Sequence, residues 1–135
     1  MHICYVCPYW GQEGTHAPAF LKRVQEEGYQ GVEINFPDSD RFVTEFQATL
    51  INIRSANKAF VFIAQQVLAP AYESADEYIT RMKKRLNYLV SLKPDFINSH
   101  TGKDYFSFDD NCRIIEIAEN ISAQSGIPIL HETHR

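Results

Sequence analysis

The segment Ile127–Arg135, I-P-I-L-H-E-T-H-R, begins as a short apolar strand and becomes polar at His131. A strand of a parallel sheet is buried on both faces, so it reads as a continuous apolar run. Polar groups at its end cost desolvation free energy. Glu132 and His134 are two residues apart, so they point to the same face of a strand. A carboxylate and an imidazole at a strand end can bind a divalent metal or transfer a proton.

Four further apolar segments precede this one, and each is followed by residues with helical periodicity. The pattern predicts strands over residues 2–7, 31–36, 59–64 and 95–99 and helices over 18–27, about 40–57, 75–92 and about 110–125. The N-caps predicted for the helices are Thr15, Ser39 or Asp40, Ser74 with Glu77 as a capping box, and Asp109 or Asp110. Alternation of strands and helices indicates a parallel sheet with right-handed crossovers.

The polar residues of the predicted strands fall on one face. Glu33 shares that face with Asn35, and Asn98 shares it with His100. An open doubly wound sheet has helices on both faces and usually has a glycine-rich phosphate loop after the first strand, but here that loop is P-Y-W-G-Q-E-G. A complete barrel needs roughly 250 residues. We therefore predict an α/β fold, the N-terminal half of a (β/α)8 TIM barrel with about five parallel strands and four helices, forming one partial domain over residues 1–135.

Composition narrows the classes of function. Thirteen basic and seventeen acidic residues give a net charge of −4, which argues against nonspecific nucleic-acid binding. No apolar run is long enough to cross a bilayer, and the N-terminus lacks the pattern of a secretory signal. Cys4 and Cys7 lie in a predicted strand on opposite faces, so we expect free thiols rather than a redox or metal pair. A reduced, cytoplasmic protein is expected.

Four segments at the predicted strand ends resemble a known superfamily. They are E-E-G-Y-Q-G-V-E-I-N, F-I-A-Q-Q, F-I-N-S-H-T-G and I-P-I-L-H-E-T-H-R. Together they are similar to the xylose isomerase-like TIM barrels, which include sugar phosphate isomerases and epimerases and the endonuclease IV-type DNA repair enzymes. The resemblance covers nearly the whole chain but only the N-terminal half of the family barrel. It implies a divalent metal (Mn, Mg, Co or Zn), with Glu132 matching the glutamate ligand of the fifth strand and the other ligands lying beyond Arg135.

The candidate residues follow from these patterns and from the resemblance. The predicted catalytic residues are Glu132, His100 and Glu33, and the predicted metal ligands are Glu132 and His134. Substrate contacts are predicted for Trp10, Gln66, His134 and Arg135, whereas His131 faces the helices and is expected to be structural. Structural alternatives are open: Glu132 pairs with Arg135, His100 is hydrogen-bonded at its strand end, Glu33 pairs with a neighbouring strand, and Trp10 packs its loop.

The function predicted is that of a sugar or sugar phosphate isomerase or epimerase, which uses a divalent metal to assist proton transfer next to a carbonyl. The site is expected to be incomplete, and the 135-residue chain is expected to have little or no activity. Two alternatives are a non-catalytic truncated domain and an endonuclease IV-like zinc phosphodiesterase acting through His100, Glu132 and His134. The expected partner is a small sugar, and the exposed strand edges predict self-association.

Overall fold

The structure, a computed structural model, describes residues 3–132. Strands and helices alternate along the chain: β1 (Val6–Pro8), α1 (Ala17–Glu26), β2 (Gly31–Ile34), α2 (Asp40–Ala56), β3 (Val61–Gln66), α3 (Ala75–Ser91), β4 (Phe96–His100), α4 (Phe108–Ser125) and β5 (Ile129–Glu132). The five strands are parallel and form one sheet in the order β1-β2-β3-β4-β5. This sequential order is that of a (β/α)8 barrel, whereas the order of a doubly wound sheet reverses at a switch point. The α/β prediction is confirmed.

The chain divides into two compact units, Met1–Ile63 and Ala64–Arg135. In the first unit, α1 and α2 pack together, and each buries one apolar stripe. The Phe36 ring lies 5.0 Å from the ring of Phe46 and 5.9 Å from that of Phe62, centroid to centroid. A Cβ atom at Gly31 would clash with the backbone carbonyl of Val61, so this closely packed position requires glycine.

In the second unit, α3 packs against α4, and α4 also contacts β5. Each helix presents one buried stripe to the core: Tyr78, Met82, Leu86 and Leu89 on α3, and Ile114, Ala118 and Ile121 on α4. On β4, Ile97 and Ser99 are fully buried and alternate with the half-buried Asn98 and His100. This alternation places Asn98 and His100 together on the opposite face of β4.

Most of the predicted helix ends are confirmed. The hydroxyl of Ser39 accepts a hydrogen bond from the Phe42 amide, and Ser74 and Glu77 form the capping box. Gly126 ends α4 with φ of 72°, a left-handed conformation that glycine adopts without strain. Within residues 3–132, no helix is both long and apolar enough to cross a membrane.

Two predicted N-caps are wrong. His16, not Thr15, precedes α1, and its side chain makes no capping bond; the Thr15 carbonyl instead accepts a hydrogen bond from the Tyr9 hydroxyl. The N-cap of α4 is Ser107, whose hydroxyl accepts from the Asp110 amide, so Asp109 and Asp110 lie in the first turn. Carboxylates are favoured in the first turn of a helix as well as at its N-cap. The residue types of Asp109 and Asp110 therefore did not show which of the two positions they occupy.

The first strand is shorter than the prediction of residues 2–7. Its pairing begins with Val6 opposite Gly31, where β2 itself begins, so residues 3–5, the described residues before it, have no strand beside them. The backbone of Tyr5 bonds instead to the side chain and the amide of Gln30, and the Tyr5 side chain is 65% exposed.

Candidate functional site

The second unit brings an imidazole and a carboxylate into contact at the C-terminal ends of neighbouring strands. His100 is the last residue of β4 and Glu132 is the last residue of β5, and the two are directly paired in the parallel register. His100 Nε2 lies 2.9 Å from Glu132 Oε2. The side chains are 25% and 40% exposed, so both are partly shielded yet reachable from solvent. The predicted convergence of His100 and Glu132 is therefore observed.

Two amide side chains complete the surroundings of this pair. Asn98, two residues before His100 on the same face, donates from Nδ2 to Glu132 Oε2 at 3.0 Å. Gln65 Nε2 lies 3.4 Å from His100 Nε2. Because Glu132 accepts from both an imidazole and an amide, its negative charge is held in a fixed direction. A carboxylate and an imidazole in this geometry can exchange a proton with a bound molecule.

The structure places Gln65, and not Gln66, beside His100. Gln66 is fully buried, and its Oε1 accepts a 2.6 Å hydrogen bond from Ser99 Oγ on the other face of β4. Its Nε2 has no hydrogen-bond partner among residues 3–132. The strand period contained the signal: Phe62, Ala64 and Gln66 are fully buried and share one face, which leaves Gln65 on the other. The substrate contact of Gln66 stays a prediction, but this side chain is enclosed by protein.

A chain of hydrogen bonds extends from Gln66 through the protein to the surface of α4. Ser99 Oγ lies 2.8 Å from Thr101 Oγ1, which lies 2.8 Å from His131 Nδ1. His131 Nε2 lies 3.0 Å from the Glu119 carboxylate on α4. The expectation that His131 faces the helices is confirmed, because it links β5 to α4.

A cavity of about 510 Å³ opens beside the His100–Glu132 pair. Its described lining comes entirely from the second unit and includes His100, Thr101, Lys103, His131 and Glu132. Its volume is in the range of roughly 300–1,000 Å³ that small-molecule sites occupy. The pair therefore has space for a ligand next to it.

The loop between β4 and α4, Thr101–Ser107, is held by two side chains. The Tyr78 hydroxyl donates to the His100 carbonyl and accepts from the Gly102 amide, both at 3.0 Å. The Asn111 side chain accepts from the Lys103 amide and donates to the carbonyls of Lys103, Phe106 and Ser107. Burial raises the pKa of Tyr78, so its phenol stays neutral and can both donate and accept a hydrogen bond. The sequence analysis did not identify either role.

Other predicted site residues lie in the first unit or outside the described residues. Trp10 is 71% exposed in the loop after β1, and Glu33 is half-buried on β2, opposite Pro8. Both belong to the unit Met1–Ile63, and their proposed roles stay predictions. His134 and Arg135 lie outside the residues that the structure describes. Cys4 is exposed, Cys7 is buried, and both thiols are free in the structure.

The described residues do not form a complete metal site. His100 Nε2 and Glu132 Oε2 are adjacent donor atoms, but their 2.9 Å contact is a hydrogen bond that a metal ion would have to replace. A catalytic zinc site typically has three protein ligands. Within residues 3–132, no group of three or more His, Cys, Asp or Glu side chains is placed to hold a metal ion. The predicted ligand His134 is not among these residues.

The geometry of the site is thus defined by side chains on β3, β4 and β5, with Gln65, Asn98, His100 and Glu132 at its centre. Comparison of the sequence with protein-family models and with curated proteins found no match.

Proposed function

We propose that His100 and Glu132 move a proton at the carbon next to the carbonyl of a small sugar or sugar phosphate. The single observation that carries the proposal is the 2.9 Å contact between His100 Nε2 and Glu132 Oε2 at the edge of the cavity. Isomerisation and epimerisation of sugars both need a base that removes such a proton and an acid that returns one. The resemblance to the xylose isomerase-like barrels supports the same chemistry.

In this proposal, Glu132 accepts the proton from carbon while the imidazole of His100 hydrogen-bonds to the neighbouring oxygen. Asn98 holds the carboxylate in place by donating to Oε2. Gln65, beside the ring of His100, is available to bond a substrate hydroxyl. The metal (Mn, Mg, Co or Zn) stays a prediction. These steps are assigned to protein side chains alone because only Glu132 of the two predicted ligands, Glu132 and His134, lies among the described residues.

The test is exchange of the proton next to the carbonyl in D2O, followed by NMR on aldoses, ketoses and their phosphates. Exchange needs only the base and the acid, so we expect it to be measurable even where conversion to product is slight. Replacing Glu132 with Gln preserves the shape of the side chain and removes the base, and should slow exchange by about 10²–10⁴-fold.

Glu116→Gln is the matched control, because Glu116 is an exposed carboxylate on α4. It should leave the exchange rate unchanged. Absence of exchange above buffer for every sugar in the panel, or equal rates for Glu132→Gln and the unaltered chain, would refute the proposal.

A further inference from the structure

The cavity beside the proton-transfer pair has a cationic side chain that the proposed chemistry does not use. Lys103 is the only lysine or arginine in its described lining. Its Nζ lies 5.7 Å from the centroid of the Tyr78 ring. Within the described part of the chain, no carboxylate is within ion-pair distance of Lys103 Nζ. A cation on the wall of a cavity, without a carboxylate partner in the described chain, attracts an anionic ligand.

The backbone that carries Lys103 is fixed before any ligand arrives. Asn111 bonds to both the amide and the carbonyl of Lys103, each at 3.3 Å. The preceding Gly102 has φ of 83°, and a Cβ there would clash with Asn111 Oδ1. Gly102 also donates to the buried Tyr78 hydroxyl. Because these bonds already hold the backbone, the loop loses little backbone conformational entropy when Lys103 binds a ligand, which favours affinity.

The cavity lining also contains two acidic residues, Asp104 and Glu132, and neither forms an ion pair with Lys103 in the described chain. Asp104 is exposed, so water screens its carboxylate. The oxygen of Glu132 that faces His100 already accepts hydrogen bonds from His100 and Asn98. A ligand with one charged end and one hydroxyl-bearing end therefore finds separate partners: Lys103 for the first, and His100 with Glu132 for the second.

We infer that the ligand of this cavity is a polyol or sugar with an anionic group, a phosphate or a carboxylate, that Lys103 binds. The inference rests on the proposed function, because it assigns the substrate class of the same site. The cavity of about 510 Å³ has room for a ligand of about six carbons with such a group.

The test uses three unreactive ligands with the same carbon skeleton: sorbitol, sorbitol 6-phosphate and gluconate. Each is titrated into the full ¹⁵N-labelled chain, and dissociation constants are taken from amide shifts. We expect at least one charged ligand to bind about tenfold more tightly than sorbitol, as expected for one charge-assisted contact. The tighter of the two identifies the anionic group. The largest shifts should fall on the Thr101–Ser107 loop.

Three variants isolate the charge. Lys103→Met should bring the affinity for the charged ligands down to that for sorbitol, whereas Lys103→Arg should keep the preference and shows that the loop tolerates substitution. Lys84→Met removes an exposed lysine of α3 and should change nothing. Equal affinity for all three ligands, no binding of any of them, or a preference that survives Lys103→Met would overturn the inference.

The inference and the proposed function can fail separately. If the charged ligands bind more tightly through Lys103 but no Glu132-dependent proton exchange is seen, the proposed function is refuted and the anion site stands. Exchange that depends on Glu132, with no effect of Lys103→Met on binding, would refute the anion site alone.

Discussion

Tyr78 connects α3 to the edge of the candidate site through one hydroxyl group. The side chain is 1% exposed, its oxygen donates to the His100 carbonyl, and it accepts from the Gly102 amide. Its ring also packs edge-to-face against Phe106 at 5.5 Å. One residue therefore sets the backbone position of His100 and of the loop that carries Lys103.

Replacing Tyr78 with Phe should destabilise the chain by about 1–3 kcal/mol, because the His100 carbonyl and the Gly102 amide lose their partner. Urea unfolding measures this change, and faster hydrogen exchange of the Gly102 and Lys103 amides should accompany it. Tyr72→Phe is the control, since Tyr72 is 97% exposed. A stability equal to that of the unaltered chain would show that the hydroxyl does not hold the loop.

Among the elements, α3 has the most complete N-terminus. The Ser74 hydroxyl accepts from the Glu77 amide at 3.3 Å, and the Glu77 carboxylate accepts from the Ser74 amide at 2.8 Å. These hydrogen bonds lower the pKa of Glu77. Since the charged carboxylate is favoured in the folded chain, its contribution is fully present above the ordinary pKa of 4.5 and is lost as the pH falls through the lowered value.

Ser74→Ala should cost about 1 kcal/mol of stability at neutral pH, as expected for loss of an N-cap. Urea unfolding on both sides of pH 4.5 should show the Ser74→Ala penalty shrinking at the acidic side, because protonated Glu77 no longer holds the box. Ser55→Ala, at an exposed position inside α2, is the control for the substitution itself. A penalty independent of pH would mean that Glu77 does not contribute.

The helices could be predicted from the helical period and the capping residues. The residues of the candidate site could be predicted only in part. Phe42, Phe46, Leu50 and Ile53 are buried in α2 and recur at helical spacing, because burial of one stripe determines the sequence there. The convergence of His100 and Glu132 followed from the strand period. Asn111 and Tyr78 were not found, because bonds from a side chain to a distant loop backbone leave no periodic trace in the sequence.

At the scale of the whole molecule, the described sheet ends in β1 and β5, each with one neighbouring strand. Leu130 on β5 is 50% exposed. Unpaired strand edges promote association with another chain. We expect the average mass in multi-angle light scattering to rise with concentration and Leu130→Lys to reduce the rise. Ile51→Lys, on the 63% exposed side chain of Ile51 in α2, is the control. A constant monomer mass up to high concentration would contradict self-association.

The chain of hydrogen bonds from Gln66 to Glu119 also links the donor directions of its two hydroxyl groups, those of Ser99 and Thr101. Ser99 donates its one hydrogen to the Gln66 oxygen, and the Thr101 hydroxyl lies beside the Ser99 hydroxyl, the Ser99 carbonyl and His131 Nδ1. Because each hydroxyl has a single hydrogen, Ser99 and Thr101 each donate to one partner at a time, so the hydrogen bonds between β3, β4 and β5 depend on one another.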